Sequence, residues 1–167
     1  AKLLNLGYPG GPVLEKIALQ GDGSSFSFPQ PMVHSKDCDM SFSGLKTAVL
    51  YAVEKLPTIT DQHQADIAAS FQESATEILV KKIDFALSKN PVKDIVLAGG
   101  VAANKLLRSK MDSLADKKNI NLHYPPLRHC TDNAAMVAYL GSLYSEISSY
   151  NLVSSVRPRW PLHELKL

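Results

Sequence analysis

Ile95-Val96-Leu97-Ala98-Gly99-Gly100-Val101-Ala102-Ala103-Asn104 is the most informative stretch of this chain. The short, nearly all-apolar run from Asp94 to Ala98 predicts a β-strand covered on both faces. Two glycines end it, and a helix is predicted from about Ala102 to Leu114. Without side chains, Gly99 and Gly100 let a ligand reach the backbone, and the following helix start offers N–H groups and partial positive charge. Such a strand–glycine–helix turn suits a nucleotide beyond the carboxyl end of the strands. It serves equally as a plain tight turn, with Asn104 as a first-turn residue solvating its own helix.

Working outward, the segment on the N-terminal side predicts a long helix over about 61–88. Ile67, Phe71, Ala75, Ile78, Leu79, Ile83 and Leu87 recur at three- and four-residue steps, tracing one apolar face. Asp61 is the candidate N-cap, and Asn90-Pro91 ends the helix. On the other side, Ile120 to Tyr124 predicts a second strand closed by Pro125-Pro126. A last helix, about Asn133 to Ser148, starts after Thr131-Asp132, either of which could cap it. The second half is therefore helix–strand–helix–strand–helix, which implies a parallel strand pair. Near the front, Gly7-Tyr8-Pro9-Gly10-Gly11-Pro12 is a turn cluster. Pro12 opens a short helix, Val13 to Leu19. Ser25–Phe28 and Asp39–Ser43 are expected as short strands of a hairpin, and Leu45 to Lys55 as a helix stopped by Pro57. The tail Arg157-Pro158-Arg159-Trp160-Pro161 cannot be helical and is expected as an extended strap. The fold class is α/β.

Composition narrows the function without naming it. The chain has 167 residues, 45% of them apolar and 20% charged, an ordinary globular balance that argues against a disordered or coiled-coil chain. A net charge of +2 is too small to mark a nucleic-acid binder by bulk charge. Two cysteines, Cys38 and Cys130, are too few for a disulfide scaffold and fit a reducing compartment. No apolar run approaches the roughly 18 residues of a membrane span, so no membrane partner is expected.

Candidate chemistry beyond the glycine turn is sparse. Asp132, in Cys130-Thr131-Asp132-Asn133, is either part of a helix cap or a metal or phosphate-side ligand, and one carboxylate is not a metal site. His123 and His129 lie six apart across Pro125-Pro126, and His34, His63 and His163 are isolated, so no zinc-protease helix is present. Cys38 and Cys130 lack the spacing of a thiol hydrolase. Lys46, Lys105, Arg108, Lys110, Lys117, Lys118 and Arg128 could form a basic face for RNA, against a default of solvated helix surface.

Four motifs in order carry a resemblance. They are Ser41-Phe42-Ser43-Gly44-Leu45-Lys46-Thr47-Ala48, Ala98-Gly99-Gly100-Val101-Ala102-Ala103-Asn104, Cys130-Thr131-Asp132-Asn133 and Val156-Arg157-Pro158-Arg159-Trp160-Pro161-Leu162. With Ala1-Lys2-Leu3-Leu4 and Tyr8-Pro9-Gly10-Gly11-Pro12, the set closely resembles the tRNA adenosine threonylcarbamoyltransferase family, also known as the glycoprotease or O-sialoglycoprotein endopeptidase family. The likeness covers essentially the whole chain, and bacterial-type members look most similar.

The resemblance implies an ASKHA (actin/Hsp70/hexokinase-like) fold of two lobes with a nucleotide between them. It also implies transfer of a threonylcarbamoyl group from threonylcarbamoyl-AMP to the exocyclic amine of the adenosine beside the tRNA anticodon. Carried over by motif, Asn104 would contact the adenylate and Gly99-Gly100 would form its turn. Gly11 and Glu15 would contact the ribose or adenine side, and Asp132 would be one ligand of a divalent metal, iron or zinc. Threonylcarbamoyl-AMP or ATP would be the nucleotide ligand. Ser43 and Lys46 lie in a family signature without an assigned role, and no catalytic residue is assigned. The implied partners are tRNA, a paralogous ASKHA protein and a small ATPase. The implied location is the bacterial cytoplasm, or the mitochondrion in a eukaryote.

The family's His-x-x-x-His helix and first-lobe phosphate loop have no counterpart here. The chain is therefore expected to be one C-terminal lobe over residues 1–167, with the N-terminal lobe absent. Residues 1–22 would form the inter-lobe segment and 157–167 the strap. Alone it is expected to be inactive, to lose the metal, and to self-associate through the face normally covered by the other lobe. Two other functions remain open: a stand-alone binding module of ASKHA fold, and, more weakly, a glycoprotein metalloendopeptidase.

Overall fold

The computed structural model describes residues 1–144, together with Pro158 and Pro161. The expected strap and the end of the last helix lie outside the described residues. The chain divides into two compact units, Ala1–Asp132 and Asn133–Leu167. The first holds four helices and a small sheet: α1 (Gly10–Ala18), α2 (Ser43–Glu54), α3 (Asp61–Lys89), β1 (Asp94–Val96), α4 (Lys105–Lys118) and β2 (Asn121–His123). One-turn 3-10 segments, Gly100–Ala103 and Leu127–His129, follow β1 and β2. In the second unit, α5 spans Ala134–Leu143. None of the helices described is long and apolar enough to cross a membrane.

The central helix forms where its periodicity predicts, and its cap is one residue earlier. Thr60 Oγ1 accepts from the His63 N–H at 3.1 Å, and the His63 ring reaches back toward the Thr60 N–H. Asp61 becomes the first helical residue, an acid in the first turn where the helix dipole favours it. One side of α3 packs Ile67 and Ile78 with Leu4, Phe28, Leu45 and Val49. Further along, Leu79, Ile83 and Leu87 pack against Leu107, Met111 and Leu114 of α4. A separate patch of small residues, Ala18 against Ala68 and Ala69, lies where α1 comes close to α3. Helix α1 begins at Gly10, ahead of the expected Val13. Pro12 then sits within its first turn, where a missing N–H still costs no hydrogen bond.

The strand pair is parallel, with Asp94, Ile95 and Val96 opposite Asn121, Leu122 and His123, and α4 is the crossover between them. The expectation that both faces are covered is not met. Ile95 and Leu122 are half-buried, Leu97 and Leu122 pack against the α3–α4 core, and Val96 on the other face is 72% exposed. That open face also carries polar pairing: the Asp94 carboxylate accepts from Asn121 at 2.9 Å and faces His123 Nε2 at 3.0 Å. These contacts hold the Asp94 carboxyl below its ordinary value.

The expected hairpin does not form. Neither Ser25–Phe28 nor Asp39–Ser43 is a strand, and Ser43 is already the first residue of α2. The alternation at Phe26 and Phe28 has another cause. Their rings stack at 6.0 Å, Phe28 is buried in the core, and the Phe26 N–H donates to Ser70 Oγ on α3. The loop that follows is pinned by Lys82 of α3, whose side chain is 98% buried. Its Nζ donates to Ser35 Oγ at 2.7 Å, to the Asp37 carbonyl at 2.9 Å and to the Asp37 carboxylate at 3.1 Å. The Ser35 hydroxyl and the Lys82 ammonium hold the Asp37 carboxyl below its ordinary value. Replacing Lys82 by Met keeps the packed stem and removes these charge-assisted bonds. The expected loss is about 1.5–3 kcal/mol, read from urea unfolding; a change under about 0.5 kcal/mol would mean the loop does not depend on them.

Candidate functional site

Four of the residues singled out from sequence line one concavity of about 360 Å³: Gly11, Glu15, Gly100 and Asn104. They come from three places. Gly11 and Glu15 lie on α1, Gly100 opens the 3-10 turn after β1, and Asn104 stands where that turn hands over to α4. The remaining wall is mostly apolar and includes Leu14, Phe71, Ala75, Leu79 and Val101.

Each polar wall group is held by a specific contact. Asn104 is the N-cap of α4: its Oδ1 accepts from the Leu107 N–H at 2.8 Å. Its Nδ2 donates to Gln72 Oε1 on α3, also at 2.8 Å. Glu15 reaches across from α1 and accepts the Lys105 N–H at 2.6 Å, placing a carboxylate at the positive end of α4. Two of the N–H groups at this helix start, those of Lys105 and Leu107, are therefore already engaged by side chains. The helix itself begins at Lys105, three residues later than predicted, with the 3-10 turn intervening. What remains open is the 3-10 turn and its two glycines.

Gly99 has φ +92° and ψ 173°, a region that essentially only glycine adopts, and a Cβ there would meet nothing within 4 Å. Gly99→Ala should therefore cost about 1–3 kcal/mol through backbone strain alone. Denaturant unfolding checks this, and an unchanged midpoint would show that the turn relaxes freely.

Gln72 was not singled out from sequence. It flanks the apolar stripe of α3, and nothing in the pattern links it to a residue 32 positions away. Ser43 and Lys46 line an adjoining concavity of about 410 Å³ that shares Leu14 and Phe71 with the first. Asp132 is not among the lining residues of either. It is exposed, and the cap of α5 is Asn133, whose Oδ1 accepts from the Met136 N–H at 3.0 Å. The expectation that Thr131 or Asp132 caps this helix is thus corrected by one position. Among the described residues no three His, Cys, Asp or Glu side chains are grouped to hold a metal.

The sequence matches a family model described as TsaD, tRNA N6-adenosine threonylcarbamoyltransferase, over residues 1–139. The chain belongs to this family. It is 45% identical to the tRNA N6-adenosine threonylcarbamoyltransferase of Polaromonas naphthalenivorans (strain CJ2), over 99% of this chain and 49% of that protein. It is 51% identical to the protein of the same name from Thermosipho africanus (strain TCF52B), over 93% of this chain and 48% of the relative. With that of Herminiimonas arsenicoxydans it shares 44% identity, over 99% and 50%. The chain spans about half the length of these relatives.

Proposed function

We propose that this chain supplies the adenylate-holding part of a tRNA threonylcarbamoyltransferase, as one lobe of a two-lobed ASKHA protein. The observation that carries this is the convergence of Gly11, Glu15, Gly100 and Asn104 on one largely apolar concavity beside a bare glycine turn. Apolar walls from Leu14, Phe71 and Val101 suit the faces of a purine. The Glu15 carboxylate, fixed by the Lys105 N–H, has acceptor capacity left for ribose hydroxyls. Bound there, the adenylate presents its threonylcarbamoyl group outward. The exocyclic amine of the tRNA adenosine attacks the carbamoyl carbon, the bond to the adenylate phosphate breaks, AMP leaves, and the amine proton is lost. The concavity's contribution is positioning, which makes the two reactants neighbours before the barrier is climbed.

For the metal implied by the resemblance, iron or zinc, the described residues offer Asp132 alone as the matching donor. A single exposed carboxylate does not make a site, so the described residues do not fit the metal, and no part of the reaction is assigned to it. A paralogous ASKHA protein and a small ATPase are the expected partners of the full-length protein, in a bacterial cytoplasmic setting.

Transfer of label to tRNA from threonylcarbamoyl-AMP that carries radiolabel in its threonine moiety tests the function. The full-length protein, supplied with threonylcarbamoyl-AMP and its partners, should modify tRNA, and this chain alone should not. Modification by the chain alone would overturn the half-site assignment; none by the full-length protein would overturn the activity.

A further inference from the structure

Arg108 joins two motifs that lie far apart in sequence. Its Nε donates to the Ala102 carbonyl, inside the 3-10 turn, at 2.6 Å. One terminal nitrogen donates to the Pro125 carbonyl at 3.1 Å and to Cys130 Sγ at 3.2 Å. The guanidinium carbon lies over the Tyr124 ring, 4.2 Å from its centroid, and the Tyr124 hydroxyl in turn donates to Asp112 on α4 at 3.2 Å. Ala102 and Cys130 are both buried, at 1% and 4% exposure. One side chain thus ties the turn after β1 to the loop after β2, just where that loop enters the Cys130-Thr131-Asp132-Asn133 motif.

We propose that Arg108 is a positioning residue that couples the adenylate turn to the Cys130 loop, so that a nucleotide bound at the first stabilises the second. The inference rests on the proposed adenylate site. Its chemistry is specific to arginine: three acceptors in two directions need a planar fork with fixed donors, and the Tyr124 ring adds a cation–π contact. A lysine ammonium reaching the same space satisfies one carbonyl and leaves the other and the sulfur unheld. Ligand binding that rigidifies the turn must then suppress local opening of whatever the turn is tied to.

Cys130 reports that opening directly, because alkylation of a buried thiol requires it, while exposed Cys38 serves as the internal reference. The full-length protein is treated with iodoacetamide with and without saturating ATP, and the rate at each cysteine is read by peptide mass spectrometry. ATP should slow alkylation of Cys130 about fivefold or more and leave Cys38 unchanged. In Arg108→Lys the ATP effect on Cys130 should shrink to within about twofold. Tyr124→Leu, which keeps the donors and removes the ring beneath them, should also weaken the protection and serves if Arg108→Lys does not fold. Unchanged Cys130 rates with ATP, or full protection in both variants, would overturn the coupling. Asn104→Ala is run alongside. If it leaves ATP affinity unchanged, the adenylate site falls and the coupling with it. If it weakens ATP while Cys130 does not respond, only the Arg108 inference falls.

Discussion

Gly21→Ala should destabilise the protein by at least about 3 kcal/mol, the upper part of the overpacking range. A Cβ at position 21 would lie 2.1 Å from the Ala65 carbonyl oxygen and 2.2 Å from its carbon, with the Asp66 nitrogen at 2.7 Å. These are backbone atoms in the second turn of α3, so no side-chain rotation relieves the clash. The chain after α1 must back away from α3. That movement breaks the bond from the Asp22 N–H to the Asp66 carboxylate, 2.8 Å long, and loosens the Ala18–Ala68–Ala69 patch. Because α1 carries Gly11 and Glu15, the same substitution should weaken nucleotide binding even where the protein remains folded. Urea unfolding of the full-length protein checks the first effect. A loss below about 1 kcal/mol would mean that α1 is not held as close to α3 as the structure has it.

Asn104→Ala should show the largest effect on ligand affinity. It removes the N-cap of α4, usually worth about 1 kcal/mol, and strips Gln72 of its partner. With the Gln72 contact gone, the 3-10 turn is no longer tied to α3 at its downstream end, and Gly100 and Val101 lose their fixed place in the wall. The expected result is a KM for the adenylate raised about tenfold or more, since misplacement of a binding wall is costly. Stability should fall by roughly 1–2 kcal/mol. Asn104→Asp separates the two contributions. The carboxylate still accepts the Leu107 N–H, so stability should recover, whereas the donor to Gln72 is lost and the KM should stay raised. An unchanged KM in both variants would place Asn104 outside the site.

How much of this was legible from sequence depends on the distance over which each residue acts. The long helix, the parallel strand pair and the glycine turn follow from local periodicity and punctuation, and each is found where expected. The errors are equally instructive. Phe26 and Phe28 alternate like a strand, yet they face the same core and the Phe26 N–H bonds to Ser70, so a period of two arose without a sheet. Val96 belongs to an apolar run but lies on the uncovered face of a two-stranded pair. Thr60 and Asn133, rather than Asp61 and Asp132, cap their helices, a shift of one residue that hydrogen-bond geometry decides and composition does not. In the candidate site, Gly100 follows from the strand–glycine–helix pattern, whereas Gly11, Glu15 and the adenylate role of Asn104 come from motif resemblance alone. What holds them was not legible, because the Asn104–Gln72 and Glu15–Lys105 contacts span 32 and 90 residues. Arg108 appeared in sequence as one of several surface cations; only its three acceptors and the Tyr124 ring distinguish it.

The proposed adenylate site can be mapped without any variant. The full-length protein is photolysed with 8-azido-ATP, digested, and the labelled peptides are identified by mass spectrometry. Label confined to peptides containing Gly11–Glu15 and Gly99–Asn104, and competed away by unlabelled ATP, is the expected result. Competable label that falls elsewhere and leaves both of these peptides unmodified would contradict the assignment of this concavity to the nucleotide.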